Sequence, residues 1–493
     1  MQRRRFLYAH IDHSNTMKIF KKLLKIVLSL FGILLLTALI LIWIDSRGTG
    51  YLKVEKEGAF ANNSYLVQNV NVIPMNADTV LTGKTVYIKE GVIENISDKF
   101  TVEGVEIIKG DGKFLTPGLI DMHVHVWDEY ELGLYLSNGV TAVRNLWGLP
   151  MHLRMKEAVN NAEIIAPLFF TTGPKLTGPE YIGDDNLQLR SAEEAKARVI
   201  FYKKRGYDFI KTYYGLTPEI FDAVVEQAAA SQMDIIAHPS QKVSYNYHFK
   251  PQIRSVEHAE DIIQQPLNYV LDTIKLKEVV SDFSASGTTK FCPTLTVYNN
   301  IYQILTNDKI LDSENLQYMN PLIRKVDSQA QFDRWQDSKR TDRAIVGSIK
   351  AQHEFHLKII REMHEAGVPI ICGTDAGIGV TVPGFSIHRE LGFYKEAGLT
   401  NYEVLKTATY NASGTHAVME NMGSIEKGKI ANLLLLNNNP LEDLSALKRP
   451  ELVFVNGRKI NRKQLNSFEE KAKNRKNLVV SGFRYAENLI REK

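Results

Sequence analysis

The stretch "PGLIDMHVHVWD", Pro117–Asp128, places His123 and His125 at alternate positions at the end of an apolar run. In a β-strand, residues i and i+2 face the same side, so both imidazole rings would enter one small volume. A buried imidazole whose ring nitrogens lack partners is costly, and a metal ion removes that cost by taking a lone pair from each ring. The pair therefore indicates either a metal site or two core histidines bonded to backbone carbonyls.

Seven further strand-like segments follow, some of them separated by helix-like stretches such as "TPEIFDAVVEQAAASQ" (217–232). They are Thr141–Trp147, Pro167–Gly173, Asp208–Tyr214, Asp234–Ser240, Ile253–His258, Lys290–Tyr298 and Val368–Gly377. Eight β-then-α units predict an α/β fold of the parallel-barrel type, a (β/α)8 or TIM barrel over residues 117–419. Catalytic groups of such barrels lie at the carboxyl ends of the strands.

Six side chains that can take part in a metal centre fall at the ends of these predicted strands: His123, His125, Lys211, His238, His258 and Asp375. Lys211 would point into a packed barrel, where an unpaired ammonium is unfavourable and its pKa falls. A neutral lysine amine can take up CO2 and become a carbamate that bridges two cations. The alternatives are core histidines, a turn role for Asp375 in "GTDAG", and a Lys211–Asp375 ion pair. Those alternatives require six coincidences of placement, so the set as a whole favours a metal centre.

Short β-like segments flank the predicted barrel on both sides. The hairpin signals "KEG" (89–91) and "VNG" (455–457) indicate that residues 51–116 and 420–465 together form one composite β-sandwich. The connection from Asn299 to Glu365 is longer than one helix requires and leaves from the active face. It is therefore either a helical cap over the site (299–365) or a surface excursion without function. Residues 466–493 are interpreted as a C-terminal tail.

The N-terminus has the pattern of a membrane segment. An uncharged apolar run from Ile26 to Ile44 is near the ~20 residues that cross a bilayer as a helix. Lysines 18, 21, 22 and 25 and Arg3–Arg5 precede it, which predicts a cytoplasmic N-terminus within a signal-anchor over residues 1–50. The protein would then be a single-pass membrane protein whose catalytic domain is extracytoplasmic, either periplasmic or extracellular. A signal peptide cleaved near Gly48 or Gly50 is the alternative.

Charge distribution and cysteine count argue against a nucleic-acid-binding protein, a disulfide framework and a thiolate zinc site. The formal net charge is +4 over 493 residues, and the basic residues are spread along the chain without the aromatic-interleaved blocks of nucleic-acid-binding proteins. The two cysteines, Cys292 and Cys372, make neither a disulfide framework nor a thiolate zinc site. The partners that these features predict are a membrane, through the apolar N-terminal run, and no nucleic acid; the small-molecule amide or peptide substrate is an expectation that follows from the family resemblance described next. An oligomer is compatible with the sequence.

An ordered set of motifs resembles the amidohydrolase superfamily. The motifs are "PGLIDMHVH" (117–125), "GVTAVRNLWG" (139–148), "DFIKTYYG" (208–215), "IIAHPS" (235–240), "SVEHAED" (255–261), "GTDAG" (373–377) and "GSIEKGKIANLLLL" (423–436). Within the superfamily, the chain is most similar to imidazolonepropionase-like proteins and metal-dependent Xaa-Pro-type dipeptidases. Two features depart from the usual pattern: Asn432 stands where an aspartate is usual, and the segment after "FIKTYYG" lacks a glycine-rich insertion that many dipeptidases carry.

The resemblance implies a distorted (β/α)8 barrel and a binuclear centre of two divalent ions, with zinc expected. His123, His125 and Asp375 would bind one ion, His238 and His258 the other, and an N-carboxylated Lys211 would bridge them. A water shared by two such ions has its pKa lowered towards ~7. Asp375 would orient the resulting hydroxide, accept its proton and pass it to the leaving group.

Three further residues are candidates for substrate contact. Tyr213 and Tyr214 would bind the oxyanion or a substrate carboxylate, unless they are packing aromatics. His388, in "FSIHRELGFYKEAGLT" (385–400), follows the last predicted strand and would face the substrate, unless its role is structural.

These features together predict a membrane-anchored, metal-dependent hydrolase that cleaves an amide of a dipeptide, an N-acyl amino acid or a cyclic amide by metal-activated hydroxide. A lactonase or esterase, or a mononuclear deaminase, is the alternative on the same barrel. A non-catalytic binding protein on a decayed barrel is disfavoured, because all six candidate metal-centre residues are present.

Overall fold

The computed structural model describes residues 13–181 and 186–492. The chain divides into two compact units, one up to Gly50 and one from Tyr51 onward. The first unit contains helix α1, His13–Gly48, which is long and apolar enough to cross a membrane. A membrane anchor and a signal sequence both meet that test. The predicted basic flank Arg3–Arg5 lies outside the described residues.

The second unit contains the strands. They are β1 (Tyr65–Val72), β2 (Leu81–Lys89), β3 (Val92–Ser97), β4 (Glu106–Lys109), β5 (Phe114–Pro117), β6 (Leu119–Val124), β7 (Val140–Asn145), β8 (Leu168–Thr171), β9 (Lys175–Thr177), β10 (Asn186–Gln188), β11 (Phe209–Thr212), β12 (Asp234–Ala237), β13 (Ile253–Glu257), β14 (Lys290–Cys292), β15 (Leu433–Leu436), β16 (Leu452–Val455) and β17 (Arg458–Asn461).

Its helices lie between and after these strands. They are α2 (Glu129–Ser137), α3 (Pro150–Asn160), α4 (Ala192–Arg205), α5 (Pro218–Ala230), α6 (Ala259–Gln264), α7 (Thr273–Ala285), α8 (Leu295–Thr306), α9 (Pro321–Ile323), α10 (Gln329–Thr341), α11 (Ile345–Glu365), α12 (Ser386–Glu396), α13 (Asn401–Thr407), α14 (Tyr410–Ser413), α15 (Arg462–Lys473) and α16 (Leu478–Arg491). Most of residues 466–492, interpreted above as part of a C-terminal tail, belong to α15 and α16.

One sheet joins the two ends of this unit. Its strand order is β17-β16-β15-β5-β1-β2-β3, and β4 pairs with β1. The rings of Tyr65 on β1 and Phe454 on β16 lie 5.9 Å apart, although two strands separate β1 from β16 in that order. Since neighbouring strands are ~4.8 Å apart, a flat sheet would hold these rings farther apart, so the sheet curls around its own apolar face.

Both predicted hairpin turns form, and they touch each other. Glu90 and Gly91 connect β2 to β3, while Asn456 and Gly457 connect β16 to β17, and all four residues have positive φ. That backbone matches the twist of paired strands, which explains "EG" and "NG" at these positions. A Cβ at Gly457 would stand 2.7 Å from the Gly91 Cα, so the contact between the turns also requires glycine.

Two parallel sheets position the candidate site. Their strand orders are β6-β7-β8 and β10-β9-β11-β12-β13-β14. An isolated parallel bridge, Thr172–Phe209, links them on one side, and the bridges Phe291–Ile370 and Val124–Ala376 tie both to the segment after α11. That segment was predicted as an eighth strand. In the described chain it carries isolated bridges and single hydrogen bonds in place of a continuous ladder, and the positive φ of Asp375 and Gly377 ends its extended backbone.

Candidate active site

The six candidate metal-centre residues converge because each follows or ends a parallel strand. His123 lies in β6 and His125 just after it, Lys211 lies in β11, and His238 and His258 directly follow β12 and β13. Asp375 follows the Cys372–Gly373 segment that hydrogen-bonds to β6 through Met122. All six side chains are buried.

Asp375 lies against the first histidine pair. Its Oδ1 is 2.8 Å from His125 Nε2 and 3.3 Å from His123 Nε2. The three residues offer ligand atoms that all lie within 4.8 Å of one another. Burial by itself would raise the pKa of Asp375, but the two imidazoles hold it well below its usual range. Burial lowers the pKa of His123 to about 4, so its ring is neutral and can donate a lone pair.

His238 and His258 form the other side of the cluster. Their ring centroids are 4.6 Å apart, and His258 is 4.9 Å from His123. Burial lowers the pKa of both rings well below the usual value. Thr294 Oγ1 lies 2.8 Å from His258 Nδ1, whereas His238 makes no hydrogen bond among the described residues, although its Nε2 lies 3.3 Å from Asp261 Oδ2. Orphaned imidazole nitrogens at this depth fit a ligand to a metal ion.

Lys211 shows the same lack of partners. Its side chain is 1% exposed, and its Nζ has no hydrogen-bond partner within the part of the chain that the structure describes. Burial lowers its pKa to about 8, although Glu257 and Asp375 act in the opposite direction. The ion pair with Asp375 considered from the sequence does not form among the described contacts, since Asp375 faces the histidines instead.

The backbone at the site is strained at three positions. His258, Thr294 and Asp375 are non-glycine residues with φ of 68°, 50° and 58°. Such conformations are uncommon for residues with a Cβ, and they cluster at functional sites where the surrounding structure enforces them. Two of the three are candidate metal ligands, and the third contacts a ligand candidate.

A buried charge network behind the cluster fixes the His123 ring. Glu257 Oε2 lies 2.8 Å from His123 Nδ1, and Arg144 Nη2 donates to Glu257 Oε1 over 3.0 Å. Burial would raise the pKa of Glu257, but Arg144 and His123 hold it well below its usual range. Because the carboxylate accepts from Nδ1–H, the Nε2 lone pair faces the cluster.

Neither Glu257 nor Arg144 was identified from the sequence. The signal was present, however: each is a charged residue inside a run that reads as a buried strand, in "SVEH" and "TAVRN". A buried charge is costly unless it is paired. Two opposite charges on different strands of one predicted barrel were therefore candidates for partners.

A cavity of about 730 Å³ opens over the six residues. Tyr213 and Tyr214 line it, and each ring lies 4.4 Å from the His238 ring. The rest of the lining comes from the strand ends and the turns that follow them, from the chain between the start of α8 and the end of α10, and from α16: Trp127, Trp147, Lys175, Glu260, Val297, Tyr298, Ile301, Leu322, Ile323, Val326, Asp327, Ala330, Gln331, Arg334, Ile378, Gly482 and Tyr485.

His388 is not brought to this cavity. Its Nε2 donates to the Asn138 carbonyl oxygen over 3.0 Å, at the end of α2, and burial lowers its pKa to about 4. It is absent from the described residues that line the cavity. The reason is geometric: α12 begins at Ser386, and its first turn presents His388 to α2 instead of to the strand ends.

The donor set fits a metal centre. Neutral imidazoles and carboxylates are the ligands that zinc prefers in hydrolytic sites. The orphaned nitrogens of His238 and Lys211 are buried polar atoms that such ions would satisfy. A second candidate group, His123, Glu257 and Cys292, fits less well. Burial raises the pKa of the Cys292 thiol, and Glu257 is paired with Arg144.

Comparison with known proteins gives three kinds of similarity. The model of the amidohydrolase family matches residues 349–460. Ochratoxinase from Aspergillus niger is 23% identical over 406 residues, which span 69% of this chain and 73% of that protein. The solved structure of the bottromycin amidohydrolase superposes with a TM-score of 0.69 at 22% identity, covering 89% of this chain and 96% of that one.

The structure of a Xaa-Pro dipeptidase with bound methionine superposes with a TM-score of 0.63 at 19% identity. It covers 81% of this chain and 100% of that one.

Proposed function

We propose that the chain is a binuclear metal-dependent amidohydrolase, a member of the amidohydrolase superfamily that acts on carbon–nitrogen bonds. The match of the family model to residues 349–460 and the similarity to ochratoxinase support this proposal. The substrate would be a dipeptide, an N-acyl amino acid or a cyclic amide. The observation that carries the proposal is the set of six buried side chains around one cavity, two of which, Lys211 and His238, have orphaned nitrogens in the described chain.

The residues divide into two ligand groups. His123, His125 and Asp375 would hold one cation, and His238 and His258 the other. Lys211 would join the groups after its neutral amine adds CO2 and loses a proton, which converts it to a carbamate. Four neutral histidines cannot offset the charge of two divalent ions, whereas Asp375 and a carbamate bring two negative charges. Zinc is the cation that this nitrogen-rich set favours.

The chain's own groups then carry out the proton transfers. When bound, a pair of divalent cations supplies Lewis-acid polarisation of a carbonyl and lowers the pKa of water. Asp375 accepts a proton from the attacking water and returns it to the leaving nitrogen. Burial raises the pKa of the Tyr214 phenol above its ordinary value. Tyr214 therefore stays protonated and donates a hydrogen bond to the developing oxyanion or to a substrate carboxylate.

The fold we propose for this site is a distorted (β/α)8 barrel. The isolated bridges at Thr172–Phe209, Phe291–Ile370 and Val124–Ala376 join the two parallel sheets and the segment around Asp375 in the order that a barrel requires. The curled sheet built from both chain ends would be the composite sandwich. Residues 299–365 would cap the cavity, since Leu322, Val326 and Gln331 line it.

We further propose a location at a membrane. Helix α1 would be an uncleaved anchor, and the positive charges before it would keep the N-terminus in the cytoplasm. The hydrolase would then face the extracytoplasmic side.

Metal analysis and a substrate screen test the proposal with a matched pair of histidine variants. His238→Asn should lose at least one metal per chain and nearly all amide hydrolysis, because the asparagine cannot supply the imidazole ligand. His388→Asn changes a partly buried neutral histidine outside the cavity and should keep both. If His238→Asn stays fully metallated and active, the binuclear proposal is wrong. If lactones exceed every amide by orders of magnitude in kcat/KM, the chain is a lactonase on the same site.

A further inference from the structure

Three aromatic side chains form a continuous patch in the cavity wall, which we call the aromatic wall: Trp127, Trp147 and Tyr485. The ring centroids of Trp127 and Trp147 are 4.1 Å apart, and Tyr485 lies 5.7 Å and 6.0 Å from them. Its plane is inclined to the two indoles by only 33° and 27°. The two indole planes are tilted by 47° to each other, so the three rings pack together as one tilted aromatic cluster on one side of the cavity.

One member of the aromatic wall, Trp147, has an indole N–H without a hydrogen-bond acceptor among the described residues. Trp127 Nε1 donates to the Gly377 carbonyl oxygen over 2.8 Å. Trp147, in contrast, is 2% exposed, and no described residue accepts a hydrogen bond from its Nε1–H. A buried donor without an acceptor costs free energy, so native structures usually pair such groups with the protein, water or a ligand. The Trp147 ring lies 5.9 Å from the His125 ring, within the reach of a small substrate bound at the cluster.

The C-terminal helix α16 is held in place along its length, so the position of Tyr485 is set by the fold. Asn320 Nδ2 donates to Ser481 Oγ over 2.9 Å near the start of the helix. Arg154 donates twice to Glu487 at the middle. Arg205 Nη2 donates over 2.8 Å to Glu492, which is buried just beyond its end. These contacts make α16 a fixed part of the cavity wall.

We propose that the aromatic wall is a specificity subsite for a planar aromatic group next to the scissile amide, and that Trp147 Nε1 donates a hydrogen bond to an acceptor atom on that group. This inference rests on the proposed amide hydrolysis and names its substrate class. A substrate ring can pack against the Trp127 and Tyr485 rings in offset-stacked or edge-to-face geometry, a contact that a saturated ring of the same size does not make. A residue near the C-terminus, Tyr485, would thus select the substrate of a site built from the strand ends.

Matched substrates of nearly equal size test the subsite on the metal-loaded, full-length protein. One pair is N-benzoylglycine and N-(cyclohexanecarbonyl)glycine. The other pair is glycyl-phenylalanine and glycyl-cyclohexylalanine, so that the two pairs place the ring on opposite sides of the amide. The proposal expects a preference of about tenfold in kcat/KM for the aromatic member of at least one pair.

Two variants on α16 distinguish the loss of the aromatic contact from a general loss of protein stability. Tyr485→Leu should reduce the aromatic preference by about threefold or more and leave the saturated substrate's kcat/KM nearly unchanged. Phe483→Leu is the control, because Phe483 is exposed and does not line the cavity in the described chain. It should keep the wild-type ratio. Trp147→Phe should lower kcat/KM for the best pyridinecarbonyl-glycine isomer by about threefold to tenfold relative to benzoylglycine, since the donor is lost.

A binding measurement separates failure of this subsite from failure of the proposed function. Benzoate and cyclohexanecarboxylate are titrated calorimetrically into the same proteins. The subsite is supported, even when no amide is hydrolysed, if benzoate binds more tightly than cyclohexanecarboxylate and Tyr485→Leu abolishes this difference. The proposal is overturned if the aromatic and the saturated member of every pair have equal kcat/KM values and bind with equal affinity. It is also overturned by a Tyr485→Leu ratio that matches Phe483→Leu, or by a stronger preference for a cationic analogue such as phenyltrimethylammonium.

Discussion

Replacing Lys211 by methionine should stabilise the metal-free protein while it destroys the metal centre. Lys211 Nζ is buried without a hydrogen-bond partner among the described residues, and burial lowers its pKa from 10.5 to about 8. Each pKa unit corresponds to ~1.36 kcal/mol, so an ammonium there costs the folded state about 3 kcal/mol. Methionine has a similar length and no charge, so Lys211→Met removes this cost without leaving a large void.

The pH dependence has a definite sign. Since the folded pKa lies below the unfolded pKa, the penalty is fully present below pH 8 and disappears as the pH rises towards 10.5. The gain in unfolding free energy for Lys211→Met should therefore be about 3 kcal/mol at pH 7 and roughly half of that at pH 9.5. Denaturant unfolding in chelator and CO2-free buffer measures both values.

Metal content supplies the second half of the test. Loaded with zinc in bicarbonate buffer, Lys211→Met should bind at least one ion fewer than the wild-type protein. Lys290→Met is the matched control, because burial also lowers the pKa of Lys290 to about 8, but its Nζ donates to the Asn411 carbonyl oxygen away from the cluster. It should keep the full metal content. Equal stability of Lys211→Met and wild-type protein at pH 7, or a gain independent of pH, would refute the reasoning from burial.

Three other outcomes are expected. Acetate or propionate should restore part of the metal content and activity of Lys211→Ala by filling the space with a carboxylate, whereas Lys211→Arg should not respond because it adds positive charge; titration with each acid and metal analysis would show this. Arg144→Met should lower the unfolding free energy by about 3–5 kcal/mol by leaving Glu257 buried without its cation; a loss below 1 kcal/mol in denaturant unfolding would contradict it. The protein should stay with membranes after a high-salt wash if α1 is an uncleaved anchor; N-terminal sequencing that begins near Gly48 would identify a cleaved signal instead.

The site was accessible from the sequence wherever a local rule determined the geometry. Alternation in a strand places His123 and His125 on one side, and the shared polarity of parallel strands places Lys211, His238 and His258 at the same edge. The two "EG" and "NG" turns followed equally directly from backbone sterics. The similarity to the amidohydrolase superfamily that the ordered motifs indicated is supported by the family model over residues 349–460 and by the ochratoxinase relative.

Features set by long-range packing were not accessible in this way. The apolar run before Asp375 reads as a strand, but left-handed backbone at Asp375 interrupts it. His388 follows that run closely, yet the direction of its helix turns it towards Asn138. The polar segment 466–493 reads as a tail because its helices are stabilised by distant partners, such as the ion pairs of Arg475 with Asp128 and Glu131.

The sheet that joins the two ends of the catalytic unit can be completed only late in synthesis, because it contains strands from both ends. Pro117 on β5 pairs with Leu433 on β15, a residue that the ribosome adds about 300 residues later. At a synthesis rate of ~5–20 residues per second, β5 lacks its neighbouring strand β15 for roughly 15–60 s. During that interval the apolar face of β1 and β2 lacks its covering strands. During much of translation, the unpaired edge of β5 is therefore open to chaperones or to any partner that pairs with an exposed strand.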